Sequence, residues 1–174
     1  MDNVIAGVQF LGAEEGLLIC SCDIPFITPE AINDFIDQAQ RLGADLCYPV
    51  VGKKIALEKF PEAKRTFVRV REGTFTGGNI FFVNSKAIET GYELGTRLIS
   101  VRKKPLQMAQ ILGLGFSVCL LLWKLSIDRI EKRFSKILNI KVEAVFSEYA
   151  EIGNDIDKPS DVIYAEAYLN QKKY

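Results

Sequence analysis

Three short segments of the chain contain residue types that could bind a divalent cation or a phosphate group, and two of them are acidic. Asp23 follows the apolar run 17–22, while Asp155 and Asp157 lie in a loop near the carboxyl end. Mg²⁺ binds oxygen ligands and uses one or two carboxylates together with waters and substrate phosphates. Asp is also common at strand ends and helix starts, so each acid has a simpler explanation as a turn or cap residue. For Asp23 taken by itself, the turn is slightly favoured.

Two consecutive glycines mark the third segment, Thr76-Gly77-Gly78-Asn79, which precedes an apolar run. Because glycine has no Cβ, the backbone can pass close to a ligand there and present its amide groups to it. A tight turn is the commoner explanation of a bare Gly-Gly pair. The segment therefore predicts a ligand contact only in combination with the acids.

The composition excludes several kinds of catalysis and partner. The 174 residues include no histidine, which rules out Ser-His-Asp and Cys-His nucleophile systems. Lys and Arg together number 22, as do Asp and Glu. The chain therefore has no net charge that would favour nucleic acid or a membrane surface as a partner. The chemistry must rest on carboxylates, Lys, Arg, Tyr, thiols or a metal ion.

The cysteines do not indicate a metal site, because neither a Cys-x-x-Cys pair nor a histidine exists to complete one. We expect buried, reduced thiols at the four positions, Cys20, Cys22, Cys47 and Cys119. Such thiols, and a start without the basic region of a signal peptide, predict a cytoplasmic protein. The apolar stretch 111–123 is shorter than the roughly 20 residues of a membrane span. We therefore expect a buried helix there, or a loop leading into one.

The chain around these segments alternates between strands and helices, which is typical of an α/β fold. Residues 17–22 and 45–51 are apolar runs with the length of buried parallel strands. Asp23, at the carboxyl end of the first, lies where open α/β sheets bind ligands. Thr28 can cap a helix that ends at Gly43. The sequence further predicts a helix over 2–11, strands over 80–83 and 140–144, a helix capped by Ser126 and a last helix after Pro159.

The order of these motifs resembles that of the MobA-like nucleotidyltransferases, which share a GT-A type α/β fold. The chain has an Asp-x-Pro after a strand, a Thr-Pro-Glu at a helix start, a Thr-Gly-Gly-Asn before a strand and an Asp-x-Asp-x-Pro-x-Asp before the last helix, at 23–25, 28–30, 76–79 and 155–161. The resemblance implies a Rossmann-like, mostly parallel sheet flanked by helices. It also implies a single nucleotidyltransferase domain over 1–174.

The resemblance implies a role for each motif. Asp23 and Asp157 would be the catalytic acids that hold Mg²⁺, with Asp155 as a neighbouring or outer-shell ligand. The Thr-Gly-Gly-Asn segment would shape the acceptor side and bind substrate through Thr76, Gly77, Gly78 and Asn79. The basic segment 53–72 would supply candidates for binding the acceptor phosphate, namely Lys64, Arg65, Arg69 and Arg71. A solvated basic face is the alternative for most of these side chains.

The implied reaction transfers a nucleotidyl group from an NTP to a small phosphorylated acceptor and releases pyrophosphate. Members of the family also have a strand and a Gly-rich loop before the Asp-x-Pro strand, and nothing in the chain matches that loop. The resemblance therefore implies a partial domain without its first βαβ portion. Lys158 is a lesser departure, at a position where Thr is usual.

Two alternative functions remain open. One is a non-catalytic domain that binds a partner, or a second copy of itself, through an exposed sheet edge. The other, with less support, is a GT-A glycosyltransferase, because Asp155-Ile156-Asp157 is a D-x-D sequence.

Overall fold

A computed structural model describes residues 2–12, 16–63, 65–101, 104–113, 115–116, 119 and 122–171. Six strands form one sheet. They are β1 (Leu17–Cys20), β2 (Leu46–Gly52), β3 (Val68–Val70), β4 (Gly73–Gly77), β5 (Ile80–Val83) and β6 (Val142–Ser147). The described helices include α1 (Asp2–Leu11), α2 (Pro29–Leu42), α3 (Lys53–Lys59), α4 (Ser85–Val101), α5 (Pro105–Leu112), α6 (Ile127–Leu138) and α7 (Pro159–Gln171), with a short 3₁₀ helix at Ala150–Gly153.

The sheet is mostly antiparallel, whereas the sequence predicted a mostly parallel one. Its order is β1-β5-β2-β4-β3, and β6 pairs with the other edge of β2. Among the described strand pairs, β2 with β6 is the parallel one. β1 and β2 do run in the same direction, because both are antiparallel to β5. β5 comes later in the chain and lies between them, so no local pattern in β1 or β2 could reveal the direction of their neighbour.

β1 lies at one end of the sheet order rather than in its centre, and β3 lies at the other end. The strand partner of β1 is β5, with Cys20 opposite Ile80. Three of its four residues are partly buried and Cys20 is exposed. The prediction of a buried parallel strand over 17–22 is therefore wrong, and so is the burial predicted for Cys20 and Cys22. Cys47 is buried, and all four cysteines are free thiols, as predicted.

Helix α2 begins and ends where the sequence predicts. The hydroxyl oxygen of Thr28 accepts a hydrogen bond from the amide of Ala31 at 3.3 Å, which satisfies one free donor of the first turn. Gly43 ends the helix in the left-handed conformation, with φ of 54°, that glycine adopts without steric cost. The buried face contains Phe35 and Ala39, which pack in the largest core cluster. This face fixes α2, and with it the loop that carries Asp23, against the sheet.

The loops that carry the candidate acids are anchored in the core on both sides. Ile24 and Ile152 are buried in one cluster with residues of β2, β5 and β6. Phe26 is buried in a second cluster, where its ring centroid lies 5.1 Å from those of both Phe60 and Tyr168. Tyr168 belongs to α7, so this aromatic cluster packs the last helix against the Asp23 loop. The core therefore holds both acidic loops on one side of the sheet.

Helix α6 closes the outer edge of β6. Ser126 caps α6 as predicted, by accepting a hydrogen bond from the amide of Arg129. Two amide groups on the edge of β6 donate to side chains of this helix: Ala144 to Glu131 Oε1 at 2.7 Å, and Val142 to Ser135 Oγ at 2.9 Å. A strand edge satisfied in this way cannot easily pair with another strand. The strands at the two ends of the sheet order, among the described residues, are β1 and β3.

The apolar stretch 111–123 lies only partly within the described residues. Helix α5 ends at Leu112, and Gly113 follows with φ of 93°. Among the helices that the structure describes, none combines the length and the apolar character needed to cross a membrane.

Candidate active site

The two acidic loops lie side by side. The amide of Ile156 donates a hydrogen bond to the backbone oxygen of Asp23 at 2.9 Å. Asp155 and Asp157 flank Ile156, so this single bond brings the first and last acidic motifs of the sequence together. Asp23 is half-buried and Asp157 is exposed, so solvent and ligands can reach this part of the surface.

Asp23 is oriented by a neighbour that sequence reasoning did not single out. The hydroxyl of Ser21 donates to Oδ1 of Asp23. Ser21 and Asp23 lie two residues apart where β1 passes into a turn, and a hydroxyl so close to an acid was a usable signal. The amide of Ser21 also donates to the backbone oxygen of Asn79 at 2.9 Å. This bond attaches the end of β1 to the Thr-Gly-Gly-Asn segment.

Asp157 does not act as the cap of α7 through its carboxylate. The amide groups of Asp157 and Lys158 donate to Oδ2 of Asp161, at 3.1 and 3.0 Å. Desolvation acts to raise the pKa of Asp161, but the hydrogen bonds from Asp157, Ser160 and Lys158 outweigh it and lower that pKa. Within the described part of the chain, the Asp157 carboxylate makes no hydrogen bond or ion pair. Its side chain is therefore available to a ligand.

Asp155 forms an ion pair with Arg65. Arg65 Nη1 lies 2.6 Å from Oδ1 of Asp155, and the two side chains are 11% and 25% exposed. The same nitrogen lies 3.5 Å from Oδ1 of Asn154. Across the described residues, no three Asp, Glu, Cys or His side chains are grouped so that they could hold a metal ion. Asp23, Asp155 and Asp157 therefore do not form one three-ligand cluster.

A second ion pair attaches the start of the acidic loop to helix α3. Glu151 is 1% exposed, and its Oε2 lies 2.6 Å from Nζ of Lys59 on α3. The hydroxyl of Thr28 donates to Oε1 of the same carboxylate at 3.2 Å. A buried carboxylate is costly unless it is paired and hydrogen-bonded, and Glu151 is both. The pair joins α3, the start of α2 and the 3₁₀ helix. The sequence showed only that the basic segment 53–72 and the acidic loop have opposite charge.

Close packing requires a glycine at position 78 of the Thr-Gly-Gly-Asn segment, which the sequence did not indicate. A Cβ on Gly78 would lie 2.5 Å from Cγ2 of Ile152 and 2.6 Å from Cγ of Pro49. The amide of Gly78 donates to Pro49, and that of Asn79 donates to Ile152. These two amide groups are therefore engaged by the protein and are not free for an anion. Gly77 is exposed, and a Cβ there would meet nothing within 4 Å.

Two asparagine side chains beside the acids have unsatisfied donors. Nδ2 of Asn79 and Nδ2 of Asn154 are buried and have no hydrogen-bond partner in the part of the chain that the structure describes. Asn154 as a whole is 5% exposed, and Thr76 is 6% exposed. Buried amide donors usually have a partner, so these two groups are candidates for contact with a ligand or a water molecule.

The candidate phosphate-binding residues do not form one cluster. Arg65 is paired with Asp155, and Arg69 lies over the ring of Trp123 at 5.2 Å from its centroid. Arg71 is exposed in the turn between β3 and β4. Lys64 lies outside the described residues. Of the described members of the set, Arg65 alone contacts the acidic loop.

Comparisons with known proteins show the family to which this α/β domain belongs. The chain is similar to a solved structure from Thermus thermophilus described as a hypothetical transferase, with 35% identity and a TM-score of 0.85. The similarity covers 92% of this chain and 68% of that one. The family model of the MobA-like NTP transferase domain matches residues 2–109, and the chain belongs to this family. No curated protein matches the chain.

The family match includes Asp23, Arg65 and the segment 76–79, whereas Asp155 and Asp157 lie beyond it. The membership confirms the resemblance that the motif order indicated. The α/β fold is confirmed, but its sheet is mostly antiparallel and not mostly parallel as predicted.

Proposed function

We propose that the chain is a nucleotidyltransferase domain that transfers an NMP from an NTP to a phosphorylated small-molecule acceptor. Membership of the MobA-like NTP transferase family supports the reaction class. The observation that carries the proposal is the backbone hydrogen bond from Ile156 to Asp23, because it brings together the two segments that carry Asp23 and Asp157. Asp23 and Asp157 are the proposed catalytic acids.

The residues present fit a bound Mg²⁺. Oδ1 of Asp23 accepts the Ser21 hydroxyl, which leaves Oδ2 for a cation. Mg²⁺ uses one or two carboxylates and keeps waters and substrate phosphates, so two acids suffice. Asp155 is engaged by Arg65 and would contribute from the outer shell. When bound, Mg²⁺ would neutralise charge on phosphate oxygens and orient the reacting groups.

The remaining chemistry needs no imidazole base, which agrees with a chain that lacks histidine. A phosphate acceptor is already ionised near neutral pH and can attack directly. One of its oxygens forms a bond to the α-phosphorus of the NTP, the bond to the bridging oxygen breaks, and pyrophosphate leaves. The segment 76–79 is proposed to contact the acceptor, whereas Arg71, in the turn at the other end of β4, stays a sequence prediction for the acceptor phosphate.

The proposal is tested by calorimetric titration of the full chain with each common NTP, with and without Mg²⁺. Binding should require Mg²⁺, and Asp23→Asn should weaken it by about tenfold or more. Asp37→Asn is the matched control, because it removes the same charge from the exposed face of α2. If no NTP binds in the presence of Mg²⁺, catalysis by this chain is refuted while its family membership stands.

A second candidate function is partner binding through β1. β1 is a terminal strand of the sheet, and Phe10 and Leu11 at the end of the preceding helix α1 are 89% and 65% exposed. Unpaired strand edges favour association with another strand. Light scattering over a range of protein concentrations tests self-association: a mass of one chain at every concentration would contradict it.

A further inference from the structure

The basic segment 53–72 supplies both cations that hold the acidic loop. Lys59 binds Glu151 at the start of the loop, and Arg65 binds Asp155 in its middle, each at 2.6 Å. The sequence had suggested that basic residues of this segment bind a substrate phosphate. In the structure these two instead neutralise carboxylates of the protein. Arg65 is the one that contacts the loop next to the candidate ligand Asp157.

We propose that Arg65 is a positioning residue for divalent-cation binding: through its ion pair with Asp155, it sets the Asp157 carboxylate beside Asp23. The inference rests on the proposed function, because it concerns the same Asp23 and Asp157 pair. It adds a role for a residue that would touch neither the cation nor the substrate.

Contacts with three residues, Asp23, Asp161 and Arg65, restrain the backbone around Asp157. The amide of Ile156 is bound to Asp23, and the amide of Asp157 is bound to Asp161. The third contact is the Asp155 side chain on Arg65. The Asp157 side chain itself makes no hydrogen bond within the described residues, so its position depends on these neighbours. Without Arg65, Asp155 would lose its cation, and the loop would have one restraint fewer on the side of β3.

The environment of the pair suits a positioning role. The Arg65 side chain is 11% exposed, so water screens the pair less than it screens an ion pair on the surface. A guanidinium is planar and offers several donors in fixed directions, which orients a carboxylate better than a lysine ammonium does. A Cβ added to Gly153 would lie 3.5 Å from Nη2 of Arg65, so the guanidinium packs closely against the backbone of the loop. Arg65 therefore contacts the loop at Gly153 as well as at Asp155.

Two possible roles of Arg65, a nearby positive charge and a positioning residue, predict opposite effects of its removal on divalent-cation affinity. If Arg65 acted only as a nearby positive charge, its removal would lessen repulsion and a divalent cation would bind more tightly. If Arg65 positions the loop, its removal weakens cation binding, because the two acids no longer converge. The sign of the change in affinity therefore separates the two effects.

The test is the affinity of the full chain for Mn²⁺, a spectroscopic substitute for Mg²⁺, measured by electron paramagnetic resonance without nucleotide. Arg65→Gln should weaken Mn²⁺ binding by about tenfold. Arg65→Lys keeps the charge with a less suitable donor geometry and should recover part of that loss. Lys54→Gln is the control, because it removes one positive charge from the exposed face of α3, and it should not weaken binding.

Two results overturn the inference. If wild type binds Mn²⁺ and Arg65→Gln binds it equally or more tightly, the positioning role is refuted while the proposed metal site stands. If wild type binds no Mn²⁺, the metal site and the role of Arg65 are both refuted. Circular dichroism checks the fold of each variant. Should Arg65→Gln fail to fold, the comparison uses Arg65→Lys, and affinity equal to wild type would overturn the inference.

Discussion

Lys59 Nζ lies 2.6 Å from Oε2 of Glu151, a carboxylate on a residue that is 1% exposed. The pair joins α3 to the 3₁₀ helix, and Thr28 adds a hydrogen bond from the start of α2. Three parts of the chain that are distant in sequence therefore meet at one carboxylate. The loop that carries Asp155 and Asp157 follows directly.

Removing this cation should destabilise the fold more than removing a cation from the surface. Lys59→Met leaves Glu151 buried without its partner, and we expect a loss of about 1–3 kcal/mol in the free energy of unfolding. Lys132→Met is the control, because Lys132 pairs with Asp128 on an exposed face of α6. It should change stability by no more than about 0.5 kcal/mol. Urea unfolding measures both, and equal losses would contradict the role given to Glu151.

The two adjacent glycines should respond differently to alanine. A Cβ at Gly78 would overlap Ile152 and Pro49, so Gly78→Ala should lower the free energy of unfolding by about 1–3 kcal/mol. Gly77 is exposed with open space around its Cα, so Gly77→Ala should change stability by no more than about 0.5 kcal/mol. Thermal unfolding of the two variants is the measurement. A larger loss for Gly77→Ala would show that the packing of this segment is misassigned.

Asp45 should make stability depend on pH in the acid range. The hydrogen bond from the amide of Lys141 lowers the pKa of Asp45, and Asn84 and Lys86 also lower it against the opposing effect of burial. Because the folded pKa lies below the unfolded one, the contribution is complete above the ordinary Asp pKa and is lost as pH falls through the lowered value. Asp45→Asn should therefore cost about 1–2 kcal/mol at neutral pH and progressively less in acid. A difference in unfolding free energy that does not change with pH would contradict this.

The cysteines should differ in reactivity. Burial raises the pKa of the Cys47 thiol to about 11, and this residue is fully buried. Cys20 and Cys22 are exposed, so a thiol reagent should modify them in the native protein. Cys47 should react only after unfolding. Mass spectrometry of labelled peptides distinguishes the sites, and rapid native labelling of Cys47 would contradict the described packing of β2.

Local signals in the sequence predicted individual elements well. Thr28, Gly43 and Ser126 end or begin helices as predicted, because capping depends on a few neighbouring residues. The direction of the sheet was predicted wrongly, because β5 enters between β1 and β2 from a later part of the chain. Strand length and apolar content carry no information about such an insertion.

The ion pairs around the candidate site could not be predicted for a related reason. Arg65 and Asp155 are 90 residues apart, and Lys59 and Glu151 are 92 apart. Which cation meets which acid depends on how α3 and the 3₁₀ helix pack, and the sequence shows only that both segments are charged. The motif order did indicate that Asp23 and Asp157 belong to one site, and their catalytic role stays a prediction.

The central claim is that Asp23 and Asp157 together hold one divalent cation, and Mn²⁺ titration of single and double variants tests it most directly. We expect one site in the wild type and a loss of about tenfold or more in affinity for both Asp23→Asn and Asp157→Asn. The double variant should lose less than the sum of the two single losses in binding free energy, because residues that share a ligand are coupled. Wild-type affinity in Asp157→Asn would contradict the claim.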